Sequence, residues 1–303
     1  MAEKTEIAVI GAGPAGMAAA IYLHRAGFDP LVLEKKAPGG LLRNANLVEN
    51  YPGFPGGIKG PDLADLFVNQ MSSVGVRIAH ERVDRVKNKG DAFNIETDSA
   101  SYTTRAVIIS SGTRPKEIYL SGDKNFAENR VFYEIVDTPL ANACGKKIVI
   151  IGGGDAAFDY ALNLQTKGNS VVIISRKEPH CLPLLKARAE TSGINTIAGI
   201  RSDSVAKSPR GIVLKCRRGR KQLEFPVDYV LAACGRLPNT EFLTSSLRKS
   251  VTRSTSIPET GVPGLFVAGD VVRGRHRQTG IAVGDGIRSA MLAEDYLRME
   301  ARK

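Results

Sequence analysis

Apolar residues in this chain come in short unbroken runs that stop at glycine, and two of these runs lead into the same pattern. Glu6-Ile7-Ala8-Val9-Ile10 ends in Gly11-Ala12-Gly13-Pro14-Ala15-Gly16, an alanine-rich stretch runs from Met17 to Ala26, and Pro30-Leu31-Val32-Leu33-Glu34 follows. A β-branched run without polar alternation reads as a strand covered on both faces, and the segment after the glycines is built from helix formers. The unit is strand, tight turn, helix, strand. It recurs as Lys147-Ile148-Val149-Ile150-Ile151, Gly152-Gly153-Gly154-Asp155-Ala156-Ala157, a helix through Leu164, and a strand from Ser170 to Ser175. Two widely separated copies of one supersecondary unit predict two nucleotide domains rather than a short-period repeat.

Between the copies, residues 82–107 alternate polar and apolar positions, the period of antiparallel strands with one wet face. Val107-Ile108-Ile109-Ser110-Ser111-Gly112 closes the first block, and Tyr229-Val230-Leu231-Ala232-Ala233-Cys234-Gly235 closes the second in the same way. Gly264-Leu265-Phe266-Val267-Ala268-Gly269-Asp270 then adds a buried strand, and residues 281–298 read as a long amphipathic helix. The expected fold class is α/β, with two Rossmann-like dinucleotide-binding domains of the three-layer ββα type, one inserted into the other. The expected boundaries are 1–114 with 245–303 for the outer domain and 115–244 for the inserted one.

The glycine patterns carry chemistry. Gly11 permits the turn, Gly13 lets backbone approach a diphosphate, and Gly16 lets the helix pack on the strand. Pro14 and Ala15 open a helix whose free N–H groups and positive dipole end face an anion. Glu34, at the end of the second strand, is placed to bond ribose hydroxyls. The first loop therefore expects an adenine dinucleotide. In the second loop, Gly152, Gly154, Asp155, Ala156 and Ala157 form the variant ending in alanine. Its second strand ends not in an acid but in Ser175-Arg176-Lys177. Arg176 and Lys177 would accept a 2′-phosphate that a carboxylate repels, so NADPH is expected there rather than NADH.

Composition narrows the picture. Of 303 residues, 42 are Lys or Arg and 31 Asp or Glu, a formal charge of +11 that favours anionic partners. The basic clusters Arg217–Lys221 and Arg273–Arg277 stand beside no helix-turn-helix, zinc or RNA-binding signature, so no nucleic acid is expected. No apolar run reaches the roughly 18–20 residues needed to span a bilayer, and the acidic start Met1–Glu6 is no secretory signal. The cytoplasm is the expected compartment, with no membrane association. His24, His80, His180 and His276 lack metal spacing, so no metal is expected. His276 sits in the second basic cluster, where it could shuttle a proton. Cys144, Cys181, Cys216 and Cys234 include no C-x-x-C pair, and each reads as a small apolar residue.

Several motifs now stand in one order: Gly11–Gly16, Pro38-Gly39-Gly40, Val48-Glu49-Asn50-Tyr51-Pro52-Gly53-Phe54, Gly152–Ala157, Gly235-Arg236-Leu237-Pro238-Asn239-Thr240, Gly264–Asp270 and Arg277-Gln278-Thr279. In these the chain resembles low-molecular-weight thioredoxin reductases, two-dinucleotide flavoproteins of the pyridine nucleotide-disulfide oxidoreductase superfamily, over nearly its whole length. The resemblance implies FAD in the outer domain and NADPH in the inserted one. It implies that Gly40, Asn50, Gly112 and Gly269 line the flavin side and that Asp270 holds the ribityl chain. Arg277, Gln278 and Thr279 would lie beside the isoalloxazine. A homodimer is implied as well.

The chain also departs from that family, which carries C-x-x-C-D shortly before the second glycine loop. Here the corresponding stretch is Val131-Phe132-Tyr133-Glu134-Ile135-Val136-Asp137-Thr138, without sulfur. Gly40-Leu41-Leu42 replaces a stretch that commonly has Gln after the glycine pair. A relay from flavin to dithiol needs two sulfurs able to bond, so electrons are expected to pass from flavin to an unidentified external acceptor. Three readings stay open: an acidic redox protein such as a ferredoxin or flavodoxin, a small molecule or substrate disulfide with Asp137 as the catalytic proton donor, or a non-catalytic flavin-bound sensor.

Overall fold

Ile7 and Val9 leave the first strand on one side, Ala8 and Ile10 on the other, and all four are buried. That is the period-two alternation of a strand sandwiched between layers. The computed structural model describes residues 2–122, 129–209, 211–253 and 258–302. They divide into two compact units: Met1–Arg43, Val48–Arg114 and Leu237–Lys303 in the first, Asn44–Leu47 and Pro115–Arg236 in the second.

In the first unit the strands lie side by side in the order Ile78–Ala79, Leu31–Leu33, Glu3–Ile10, Ser101–Ile109, Phe93–Thr97, Val83–Asn88. The strand Ser101–Ile109 has a divided edge. Its beginning pairs antiparallel with Phe93–Thr97, and Val107–Ile109 pair in parallel with Leu265–Val267. Helices Pro14–Arg25 and Thr279–Glu300 cover one face, where Met17, Leu23, Ala290, Ala293 and Leu297 join Ile7 and Val9. On the other face Val86, Phe93 and Ile95 of the antiparallel strands, with Leu247 and Val251 of helix Ser245–Arg253, meet Ala8 and Ile10. Each of the larger of these side chains, from valine upward, contributes roughly 1.5–3 kcal/mol on leaving water.

The second unit repeats the plan. Asn195–Ala198, Ser170–Ser175, Lys147–Ile151, Tyr229–Ala232 and Val131–Phe132 form a five-stranded parallel sheet. Ile148 and Ile150 face helix Asp155–Thr166 through Phe158, Ala161 and Leu164. Val149 and Ile151 face the antiparallel sheet Arg201–Ser208, Gly211–Arg218, Lys221–Val227 through Val205, Ile212 and Leu214. The architecture is α/β with two Rossmann-like units, the second inserted into the first.

The sequence reading put the return to the first unit at 245; the contacts put it at Leu237. Asn239 supplies the reason, since its N–H donates to Gly112 O at 3.0 Å and its carbonyl accepts from Ser111 Oγ at 2.6 Å. Pairing with Ser111 and Gly112 across a long sequence separation leaves no local signature.

Candidate functional site

The first glycine loop has three different glycines. Gly11 sits at φ 104° and donates to Leu33 O at 2.8 Å. A Cβ on Gly16 would lie 1.8 Å from Gly11 O, so helix and loop touch backbone to backbone. Gly13 is the opposite case, because a Cβ there would meet no protein atom within 4 Å. Gly13 is also the N-cap of the helix starting at Pro14, and no side chain caps it. Open space in front of uncapped N–H groups is a cradle for an anionic ligand.

Other segments close on this loop. The Glu34 carboxylate accepts from Ala12 N at 2.8 Å and from Lys36 N at 3.0 Å; a carboxylate has lone pairs for further donors. Gly39 N donates to Ala12 O at 2.8 Å, and a Cβ on Gly40 would lie 3.2 Å from Gly13 Cα. Gly112 at φ 63° is open, and a Cβ on Gly269 would be 2.8 Å from the Ala15 methyl. Asp270 is half-buried in the turn Gly269–Val271. Asn50 Nδ2 donates to Gln278 Oε1 at 2.8 Å, beside Arg277 and just ahead of Thr279 at the start of the last helix. Residues far apart in sequence are thus gathered in one unit.

Asp285 was not foreseen. It is 6% exposed, accepts from Gly269 N at 3.3 Å, and is bonded by Arg273 through Nε at 2.7 Å and a second guanidinium nitrogen. Arg273 is therefore spent inward, which leaves Arg275 and His276 as exposed members of that basic cluster. A buried acid on the last helix was hidden in an amphipathic pattern that assigns charge to the wet face.

In the second unit, Gly152 packs tightly, its Cβ position 2.5 Å from Ala233 O. Gly154 is the uncapped N-cap of the helix opened by Asp155, Ala156 and Ala157. Arg176 and Lys177 are exposed at the end of strand Ser170–Ser175, in the turn held by Ser175 Oγ donating to Lys177 O at 2.7 Å.

The segment Val131–Thr138 lies in the same unit. Asn44 Oδ1 accepts from Ile135 N and Val136 N, both at 2.9 Å, and Thr138 Oγ1 donates to Ile135 O at 2.7 Å. Glu134 is paired with Arg236 at 2.8 Å. Asp137, at φ 62°, is the one non-glycine with positive φ among the described residues, and it is exposed. A left-handed aspartate held on both sides marks a turn that its surroundings over-determine.

Asp159 anchors the neighbouring stretch, accepting from Asn46 N at 2.8 Å. Burial raises its carboxyl from 3.8 to about 6, against the opposing N–H groups of Asn46 and Leu47 and with help from Asp155. A raised acid binds protons more tightly folded than unfolded, so the penalty from Asp159 is absent below pH 3.8 and grows as pH rises towards 6. Asp159→Asn, which keeps an acceptor and removes the charge, is expected to stabilise the protein by roughly 2–3 kcal/mol at pH 8 and about half that at pH 5. Urea unfolding at both pH values checks this; an equal gain at both shows that ionisation is not the cause.

All four cysteines are free: Cys144 exposed, Cys181 and Cys234 half-buried, Cys216 buried. Burial pushes the Cys216 thiol up to about 12 and raises those of Cys181 and Cys234, which disfavours their thiolates. Among the described residues no cluster of His, Cys, Asp or Glu could hold a metal ion, and no helix is long and apolar enough to cross a membrane.

Two dinucleotide folds, one interrupting the other, each with a glycine loop at the end of its first parallel strand, define an oxidoreductase of the two-dinucleotide class. The family model of pyridine nucleotide-disulphide oxidoreductases matches residues 5–286, and the chain belongs to that family. Within it the chain is similar to thioredoxin reductases. The Treponema pallidum (strain Nichols) thioredoxin reductase is 32% identical over 301 residues, covering 96% of this chain and 97% of that protein. The Lactococcus lactis thioredoxin reductase structure is 29% identical with a TM-score of 0.88, over 97% of this chain and 99% of that one. The T. acidophilum thioredoxin reductase structure is 28% identical with a TM-score of 0.87, over 97% and 98%. This is a thioredoxin reductase-like flavoprotein oxidoreductase, of a family that uses FAD and NADPH.

Proposed function

We propose that this chain is an NADPH-dependent flavoprotein reductase that gives its electrons to an external acceptor rather than to a dithiol of its own. One observation carries the reading: both glycine loops keep the shape of dinucleotide cradles, while Val131–Thr138 contains no sulfur. None of Cys144, Cys181, Cys216 and Cys234 lies in that stretch, and no two of them are spaced C-x-x-C.

FAD, when bound, supplies a centre that takes up reducing equivalents from NADPH and releases them to the acceptor. The N–H groups at Gly13–Gly16 would hold its diphosphate and Glu34 its adenosine ribose. Gly40, Asn50, Gly112 and Gly269 would line the flavin side, with Asp270 on the ribityl chain. Arg277, Gln278 and the helix N-terminus at Thr279 would stabilise negative charge at the ring edge. Gly152–Ala157 would hold the diphosphate of NADPH, and Arg176 with Lys177 its 2′-phosphate. Where the acceptor is a small molecule or a substrate disulfide that must take up a proton, Asp137, on the turn fixed by Asn44 and Thr138, is its proposed donor.

The test is direct. With NADPH and no oxygen the purified yellow protein should bleach, and with ferricyanide it should turn over continuously. With thioredoxin as sole acceptor it should not exceed free FAD. Thioredoxin-dependent NADPH oxidation, or a flavin that stays oxidised, refutes the proposal, and the second outcome leaves a sensor. Acidic carriers such as ferredoxin or flavodoxin come first among protein acceptors, because the net charge is +11 and Arg275 and His276 are exposed. We propose the cytoplasm as its setting, where four free thiols persist. A homodimer belongs to the same proposal, with a surface in the exposed apolar Ile281, Ile287 and Met291 of the last helix.

A further inference from the structure

The segment that follows Arg176 and Lys177 folds back over the second glycine loop. His180 N donates to Gly153 O at 2.8 Å, and Leu182 N donates to Asp155 Oδ1 at 2.8 Å. Pro179 Cα lies 3.4 Å from where a Cβ on Gly153 would be, so the strap is in van der Waals contact with the loop. This brings the His180 ring to the mouth of the cradle, its Nε2 3.4 Å from the Cβ position of Gly154. Gly154 is the N-cap of a helix without a side-chain cap. The ring is solvent-exposed and makes no hydrogen bond among the described residues.

At this site the ring would add a hydrogen-bond donor. A diphosphate seated on this N-terminus meets the positive end of the helix and also Asp155, which repels it. Arg176 and Lys177 belong to the strand end, where a 2′-phosphate would be. At the diphosphate itself the donors are the helix N–H groups, and the strap sets an imidazole beside them.

We infer that His180 is a binding residue for the diphosphate of the nicotinamide nucleotide, distinct in task from the Arg176–Lys177 pair. The inference rests on the NADPH reading above and deepens it. Because NADH and NADPH share the diphosphate, His180 acts on both alike, whereas Arg176 and Lys177 act on NADPH alone. His180 takes no part in the transfer of electrons, so its loss raises KM and leaves kcat in place.

The test uses the FAD-loaded full chain, titrated with NADPH, NADH and ADP. His180→Ala should weaken all three about tenfold, the loss of one charge-assisted hydrogen bond, with kcat and FAD content unchanged. His180→Gln, which keeps an N–H donor, should recover most of the affinity. An Arg176→Ala/Lys177→Ala variant should weaken NADPH while sparing NADH and ADP. If His180→Ala binds all three like wild type, or loses NADPH alone, the inference is overturned and the nucleotide reading stands. A wild-type protein that binds none of them brings down both.

Discussion

Gly13→Val is expected to yield a folded protein with less than about a tenth of the wild-type FAD, and Gly16→Val one that loses flavin and stability together. At Gly13 a Cβ would meet nothing within 4 Å, and φ is −78°, open to any residue. The protein tolerates a side chain there, but that side chain occupies the space in front of the helix N–H groups. At Gly16 a Cβ would fall 1.8 Å from Gly11 O and 2.7 Å from Ser110 Oγ. The helix would have to back away from the sheet, an overpacking cost of roughly 3 kcal/mol or more. Flavin absorbance of the purified variants, with melting temperatures of both apoproteins, separates the two effects. Full flavin content in Gly13→Val would show that the cradle faces something other than the cofactor.

The second large effect is expected at Asp285. Its carboxylate holds Arg273 by two bonds and reaches Gly269 N, and so ties the segment ahead of Arg277-Gln278-Thr279 to the last helix. Asp285→Ala strands a guanidinium that is 32% exposed and leaves a buried N–H unmatched. Breaking such a pair costs roughly 3–5 kcal/mol when both ends are buried, and about 2–3 kcal/mol is expected here because Arg273 reaches water. Asp285→Asn keeps one acceptor and should cost about half as much. Urea unfolding of the two variants checks the order; equal stability of Asp285→Ala and wild type would mean that Arg273 repairs itself in solvent.

Much of this could be read from residues in a row. The solid apolar runs at Ile7–Ile10 and Ile148–Ile151 announced strands buried on both faces, and the glycine spacing after each announced the turn. The strand Ser170–Ser175 falls where expected, while the last helix runs Thr279–Glu300 rather than 281–298. Helix ends depend on a few hydrogen bonds and fray from the pattern. What stayed hidden depends on distant partners. Asn44–Leu47 groups with the second unit because Asn44 caps Ile135 and Val136 and Asp159 holds Asn46, pairings between segments some ninety or more residues apart. Helices Gly60–Ser73 and Pro183–Thr191 both begin with proline at the first turn, and the second lacks a strong apolar stripe. Asp285 and His180 become visible only when the helix and the strap are in place.

The divided edge of Ser101–Ile109 has a consequence for how the chain is made. On the ribosome the first unit cannot complete its parallel sheet until Leu265–Val267 emerges, nor cover its face until the last helix does. The second unit, whose final strand is Tyr229–Ala232, has all of its segments in hand well before that. The half that is begun first is therefore finished last, and it waits, with its glycine loop already synthesised, for a strand that arrives after an entire second fold has been translated.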